Sequence, residues 1–147
     1  MKKHKLLLLS RDNGNKTYEK WYAFGRNQAL TISGNKLLFP YISDKPYFVF
    51  TDEKDLLFYN GYAIISESVD DLLVLQRILM SRIFWFYIKH TSKPYSGKFF
   101  SIAKNYIKNF GVCVLSQKQR EKLLTLDSAD KIDSFLEKIY EIKIVND

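Results

Sequence analysis

The chain has 147 residues, 46% of them hydrophobic and 16% aromatic, with 23 Lys+Arg against 16 Asp+Glu and one cysteine. That length and apolar content fit a single domain with a packed core and exclude an intrinsically disordered chain. A lone cysteine excludes an internal disulfide framework and any cysteine-rich zinc finger.

Met1-Lys2-Lys3-His4-Lys5-Leu6-Leu7-Leu8-Leu9-Ser10 imitates a signal peptide, but its apolar core is four leucines long and Arg11-Asp12-Asn13 follows without a small-residue cleavage site. Residues 5–10 are therefore expected to form a strand, in a cytoplasmic protein with no membrane partner. Asp12-Asn13-Gly14-Asn15 is a turn, and the aromatic segment from Trp21 to Thr31 reads as a loop or short helix. Strand signals follow at Lys36-Leu37-Leu38-Phe39-Pro40, at 46–51, and at Tyr62-Ala63-Ile64-Ile65 after the turn Asn60-Gly61. Ser68 with Asp70 and Asp71 marks a helix start, and the nearly all-apolar run beyond it predicts one long central helix to about Lys89. It is too short and too polar at Gln76, Arg77, Ser81 and Arg82 to span a bilayer.

A basic loop, Thr91-Ser92-Lys93-Pro94-Tyr95-Ser96-Gly97-Lys98, comes next. Ser101 is placed to cap a short helix through Asn109, which Gly111 ends. Val112 to Leu115 reads as extended, with Cys113 as a buried thiol. Ser116 is placed to cap a helix over 117–126, and Asp127 or Ser128 another over about 129–141. The fold class is α+β: a mostly antiparallel sheet in the first half, packed on a central apolar helix, with short helices at the C-terminal end. We expect one domain over 1–147, comprising an α+β body at 1–116 and a helical tail at 117–147, which can form a small separate layer.

Charge is unevenly placed. From Leu72 to Arg120 there is no Asp or Glu, but nine basic residues, leaving 14 basic and 16 acidic residues elsewhere. A surface that is merely solvated intersperses both signs. A one-signed segment attracts polyanions, of which nucleic acid is the commonest for a basic domain. Within it, Lys89, Lys93, Lys98, Lys104 and Lys108 interleave with Tyr87, Tyr95, Phe99, Phe100 and Tyr106, a pattern able to hold phosphates and to lie against sugars or bases. Phe84-Trp85-Phe86-Tyr87 reads mostly as packing.

Trp21-Tyr22-Ala23-Phe24-Gly25-Arg26-Asn27-Gln28 sets Arg, Asn and Gln together, the side chains that pair with purine edges. A buried arginine–carbonyl network tying the loop down is the equal alternative. Enzymatic signatures are missing: two histidines make no metal cage, and no phosphate-binding glycine loop or nucleophile elbow occurs. Glu141-Ile142-Lys143 has the spacing of a nuclease magnesium motif but is a common tripeptide. The chain reads as non-catalytic, binding no cofactor of its own.

Trp21-Tyr22-x-x-x-Arg26-x-Gln28 resembles the opening signature of the carboxy-terminal target-recognition domain of adenine-specific DNA methyltransferases in restriction–modification systems. Later blocks follow in order: Lys36-Leu37-Leu38-Phe39-Pro40 with Lys45-Pro46-Tyr47-Phe48; Asn60-Gly61-Tyr62-Ala63-Ile64; the helix from Leu72 to Tyr87, with Met80 where asparagine is usual; and Ser92-Lys93 with Tyr95 to Ile107. Phe110-Gly111-Val112 departs from a common Leu-Pro-Ile. The resemblance covers roughly residues 20–126.

It implies a specificity unit for double-stranded DNA, working beside a methyltransferase catalytic domain or subunit that carries S-adenosylmethionine and an Asn/Asp-Pro-Pro-Tyr/Phe tetrapeptide. Neither belongs to this chain. On that reading Lys93, Lys98, Lys104 and Lys108 contact phosphates. Arg26, Asn27, Gln28, Tyr95 and Ser96 approach bases or backbone, unless the shared signature is scaffold and readout falls to loops such as 41–57. The alternative is a protein-interaction module that docks a catalytic subunit through its aromatic and C-terminal helices.

Overall fold

The computed structural model describes residues 2–15, 17–23, 32–58 and 60–145. The chain divides into two compact units, Met1–Ile32 and Ser33–Asp147.

In the first unit, a 3-10 turn (Lys2–His4) runs into α1 (Lys5–Leu9). This corrects the strand expected over 5–10. Leucine and lysine are good helix formers, and the run holds no β-branched residue to favour a sheet. Leu6 and Leu7 are 84% and 70% exposed, so no sheet face is buried by them. Arg11 organises the unit: its guanidinium donates to the carbonyls of Leu8 (2.8 Å), Ala23 (2.8 Å) and Trp21 (3.3 Å) and lies 4.0 Å from the Tyr18 ring centre. Asp12 accepts from the Tyr18 hydroxyl, a bond that raises the Tyr18 pKa.

The second unit carries the sheet. β1 (Asn35–Phe39) is central, flanked by β3 (Val49–Thr51) and β4 (Tyr62–Ser66), all antiparallel. In register, Leu37 faces Phe50 on one side and Ile64 on the other, and this layer packs on Leu72, Leu75 and Leu79. The Asn60-Gly61 turn requires glycine: Gly61 has φ +117°, and a Cβ there would lie 2.7 Å from the Phe39 carbonyl oxygen. A second, two-residue ladder joins β2 (Ile42–Ser43) to β5 (Phe100–Ser101).

The apolar run from residue 69 is two helices, not one: α2 (Val69–Leu79) and α3 (Arg82–Thr91). Ser81 breaks it. Its buried hydroxyl donates to the Ile78 carbonyl (2.6 Å) and accepts from Phe84 N (3.4 Å), while Asp133 accepts from Arg82 N (2.7 Å). Ser81 is thus an N-cap that restarts the helix. Both helices are apolar on two sides because each is packed on two sides. Leu72, Leu79, Phe84 and Ile88 meet the sheet core; Val74, Ile78 and Ile83 meet Leu123, Ile132 and Leu136.

That second core is closed by α5 (Gln117–Thr125) and α6 (Ala129–Tyr140). Ser116 forms a capping box with Gln119, and Ser128 caps α6. The two helices share a core with α2 and α3 instead of forming a layer of their own. Cys113, expected as a buried thiol, is half-buried beside that core, and its neighbour Val114 is 98% exposed.

Candidate nucleic-acid interface

The basic loop is a short antiparallel hairpin. Ser101 N donates to Lys93 O (3.0 Å), Tyr95 N to Phe99 O (2.8 Å), and Pro94 bridges Phe100. Gly97, at φ +75°, turns the tip. Lys93, Ser96, Lys98 and Phe99 are exposed; Tyr95 is half-buried. The Lys93 ammonium stands 5.8 Å from the Tyr95 ring centre.

The hairpin is seated by Tyr41. Ile102 N donates to the Tyr41 carbonyl (2.8 Å). The Tyr41 side chain, ahead of burial, raises the Tyr95 pKa. Tyr41 opens the 41–57 loop put forward for readout, but nothing local ties it to the hairpin. The ladder that places it is two residues long.

The helix beyond the hairpin is one turn, α4 (Lys104–Ile107), shorter than the 101–109 expected. Ser101 does not cap it, because its backbone is held in β5. Lys104 and Lys108 are both exposed, one turn apart, with Lys108 N bonded to Lys104 O (3.0 Å). Tyr106 and Ile107 face the core, and Tyr87 Oη donates to Tyr106 O (3.1 Å), fixing α4 against α3. Ile102 and Phe110 pack inward as well. Of the aromatic quartet, Phe84, Trp85 and Tyr87 are packing residues; Phe86 is 40% exposed and lies against His90.

The nine basic residues do not make one continuous ribbon. Arg82 is surrounded by Asp130 (3.7 Å), Asp133 (3.5 Å) and Glu137 (3.8 Å). Arg120 pairs with Asp71 at 2.5 Å. Arg77 lines a cleft with Asp127 and Asp133 at the start of α6. What remains is Lys89 at the end of α3, Lys93 and Lys98 on the hairpin, Lys104 at the start of α4 and Lys108 just past its end, with Lys118 apart on α5. All six are exposed, and none has an acidic partner among the described residues.

Acidic side chains gather instead where α2 begins, at Glu67, Asp70 and Asp71. The 52–55 turn is tied to that end by the Lys54–Glu67 pair (3.9 Å). Lys36 adds nothing to the surface field. It is fully buried, donating to the carbonyls of Gly34 (2.9 Å), Glu53 (3.4 Å) and Lys54.

Arg26, Asn27 and Gln28 lie outside the described residues. Glu141 ends α6 in a left-handed conformation at φ 54°, so Glu141-Ile142-Lys143 lies at and beyond the helix end. Among the described residues no cluster of three His, Cys, Asp or Glu could hold a metal ion, and no helix is long and apolar enough to cross a membrane. No protein-family model matches this chain, and no curated protein matches it.

Proposed function

We propose that this chain is a non-catalytic recognition module for double-stranded DNA. The observation that carries the reading is the hairpin-and-α4 surface: Lys89, Lys93, Lys98, Lys104 and Lys108 are exposed without carboxylate partners among the described residues, whereas Arg82 and Arg120 are neutralised by the fold. Unpaired lysines on a hairpin and an adjoining helical turn suit phosphate contacts that fix register, with the tip at Tyr95 and Ser96 nearest the groove. The sequence blocks support a finer reading, in which the module belongs to an adenine-specific methyltransferase of a restriction–modification system and works in the cytoplasm. Methyl transfer, S-adenosylmethionine and adenine flipping then belong to a catalytic partner.

A second reading, docking of a catalytic subunit, is favoured by the exposure of Val112 (49%) and Val114 (98%) next to the helical cap.

Binding of the full chain to duplex DNA over a salt series tests the first reading. Replacing Lys98 and Lys104 by glutamate should weaken binding and shallow the log–log salt slope by about one unit per lost phosphate contact. An unchanged affinity and slope would remove these lysines from the interface.

A further inference from the structure

On the three-stranded sheet opens an aromatic cleft of about 320 Å³, within the range of roughly 300–1,000 Å³ that holds small organic ligands. Leu38 and Val49, cross-strand partners in register, line it together with Pro40, Tyr47, Phe58 and Tyr62. Asn60 brings the only side-chain amide among the lining residues. Tyr47 is 51% exposed, so one ring presents much of its surface to solvent.

Rings lead from the cleft to Tyr41, at the strand that pairs with the foot of the hairpin. Tyr62 stacks on Phe39 at 5.4 Å and lies 6.1 Å from Tyr41. The Tyr41 carbonyl accepts from Ile102 N at the foot of the hairpin (2.8 Å), whose Tyr95 has the Lys93 ammonium 5.8 Å from its ring centre. An apolar peptide would use the rings and leave the lysines idle. A strand of nucleic acid uses both, because each of its units carries a flat ring and a phosphate. Stacking on Tyr and Phe tolerates any base, and an asparagine amide can donate to and accept from a base edge.

The geometry points to an unpaired nucleobase as the occupant of this cleft, stacked against Tyr47 and Phe58 and bonded at its edge by Asn60, on a strand whose neighbouring phosphates meet Lys93 and Lys98. This rests on the nucleic-acid reading above and adds to it a seat for one extruded base.

The test compares two DNA duplexes bound by the full chain, identical but for one bulged 2-aminopurine. The bulged duplex should bind about tenfold tighter, with its fluorescence quenched on stacking. Tyr47→Ala should bring the bulged duplex to the affinity of the paired one and leave the paired one unchanged. Tyr47 is exposed enough that its truncation spares the fold, which thermal melting checks. Phe58→Leu, which keeps the apolar volume, should lose the quenching while retaining the melting temperature. Equal affinity for both duplexes overturns the inference and leaves the phosphate assignment standing. So does a Tyr47→Ala chain that still prefers the bulge, or that weakens both duplexes alike. Failure to bind either duplex at low salt overturns the inference and the DNA reading together.

Discussion

The helical cap and the basic hairpin are both rich in charge, and they use it in opposite ways. In the cap, Arg82 is held by three carboxylates of α6, and Lys131 pairs with Asp127 at 2.8 Å. Around the hairpin and α4 the lysines are exposed, with no carboxylate partner among the described residues. A cation whose partner lies within the fold spends its field on the fold. A cation without one projects its field outward, where a polyanion can feel it.

Asp133 gives the strongest test of that contrast. It is buried, caps Arg82 N at 2.7 Å and faces the Arg82 guanidinium at 3.5 Å. Asp133→Ala leaves Arg82 N without its acceptor at the start of α3 and Arg82 short of its best-buried partner. We expect a loss of about 2–3 kcal/mol in urea unfolding, discounted for the one-third exposure of Arg82. DNA affinity of the folded fraction should not change. A loss in affinity beyond the unfolded fraction would mean that the cap also belongs to the interface.

The base of the hairpin comes next. The Ser101 hydroxyl is buried with no hydrogen-bond partner among the described residues. Removing an unpaired buried hydroxyl is neutral to favourable, so Ser101→Ala should raise stability by up to about 1 kcal/mol. A fall instead would show that the hydroxyl has a partner in solution. Smaller still is the expected effect of Lys98→Glu with Lys104→Glu on stability, within about 0.5 kcal/mol by thermal melting, since both side chains are exposed away from any ion pair. The same pair of changes dominates the salt series. Stability and binding thus separate cleanly between the two regions.

Much of the fold was legible because its signals are local. The strands at Lys36–Phe39 and Tyr62–Ile65, the Asn60-Gly61 turn, and the helix starts at Ser68, Ser116 and Ser128 each rest on neighbouring residues. What failed rests on distant ones. Ser81 was hidden in an apolar run, and its partner in breaking the helix, Asp133, comes from 51 residues beyond Arg82. The same distance misled the charge count, which credited Arg82 and Arg120 to an outward ribbon although α6 and the start of α2 neutralise them. Four leucines fit strand and helix alike, and the choice for α1 went with their straight-chain propensity. Tyr41 could not be connected to Tyr95 without the two-residue β2–β5 ladder. The lysines of the hairpin and α4 were legible as a group because they are consecutive along the chain and the elements that carry them are short.

An effect that shows mainly at alkaline pH is expected at the seam between the two regions, the segment 110–116 that leads from α4 to α5. Tyr140 Oη donates to Gly111 O (2.9 Å) and accepts from Cys113 N (3.2 Å), so one phenol pins this segment to α6. Burial pushes the Tyr140 pKa up to about 12, from an ordinary value of 10.0. A folded pKa above the unfolded one means that the stabilisation is complete below pH 10 and is lost as pH rises toward 12, where the phenolate can no longer donate to Gly111. Stability measured by urea unfolding should therefore fall between these two values, and Tyr140→Phe should remove that part of the fall while costing no more than about 1 kcal/mol at pH 7. A phenylalanine variant that also flattens the pH dependence of DNA binding would tie the seam to the interface. If the variant changes unfolding alone, the seam belongs with the cap.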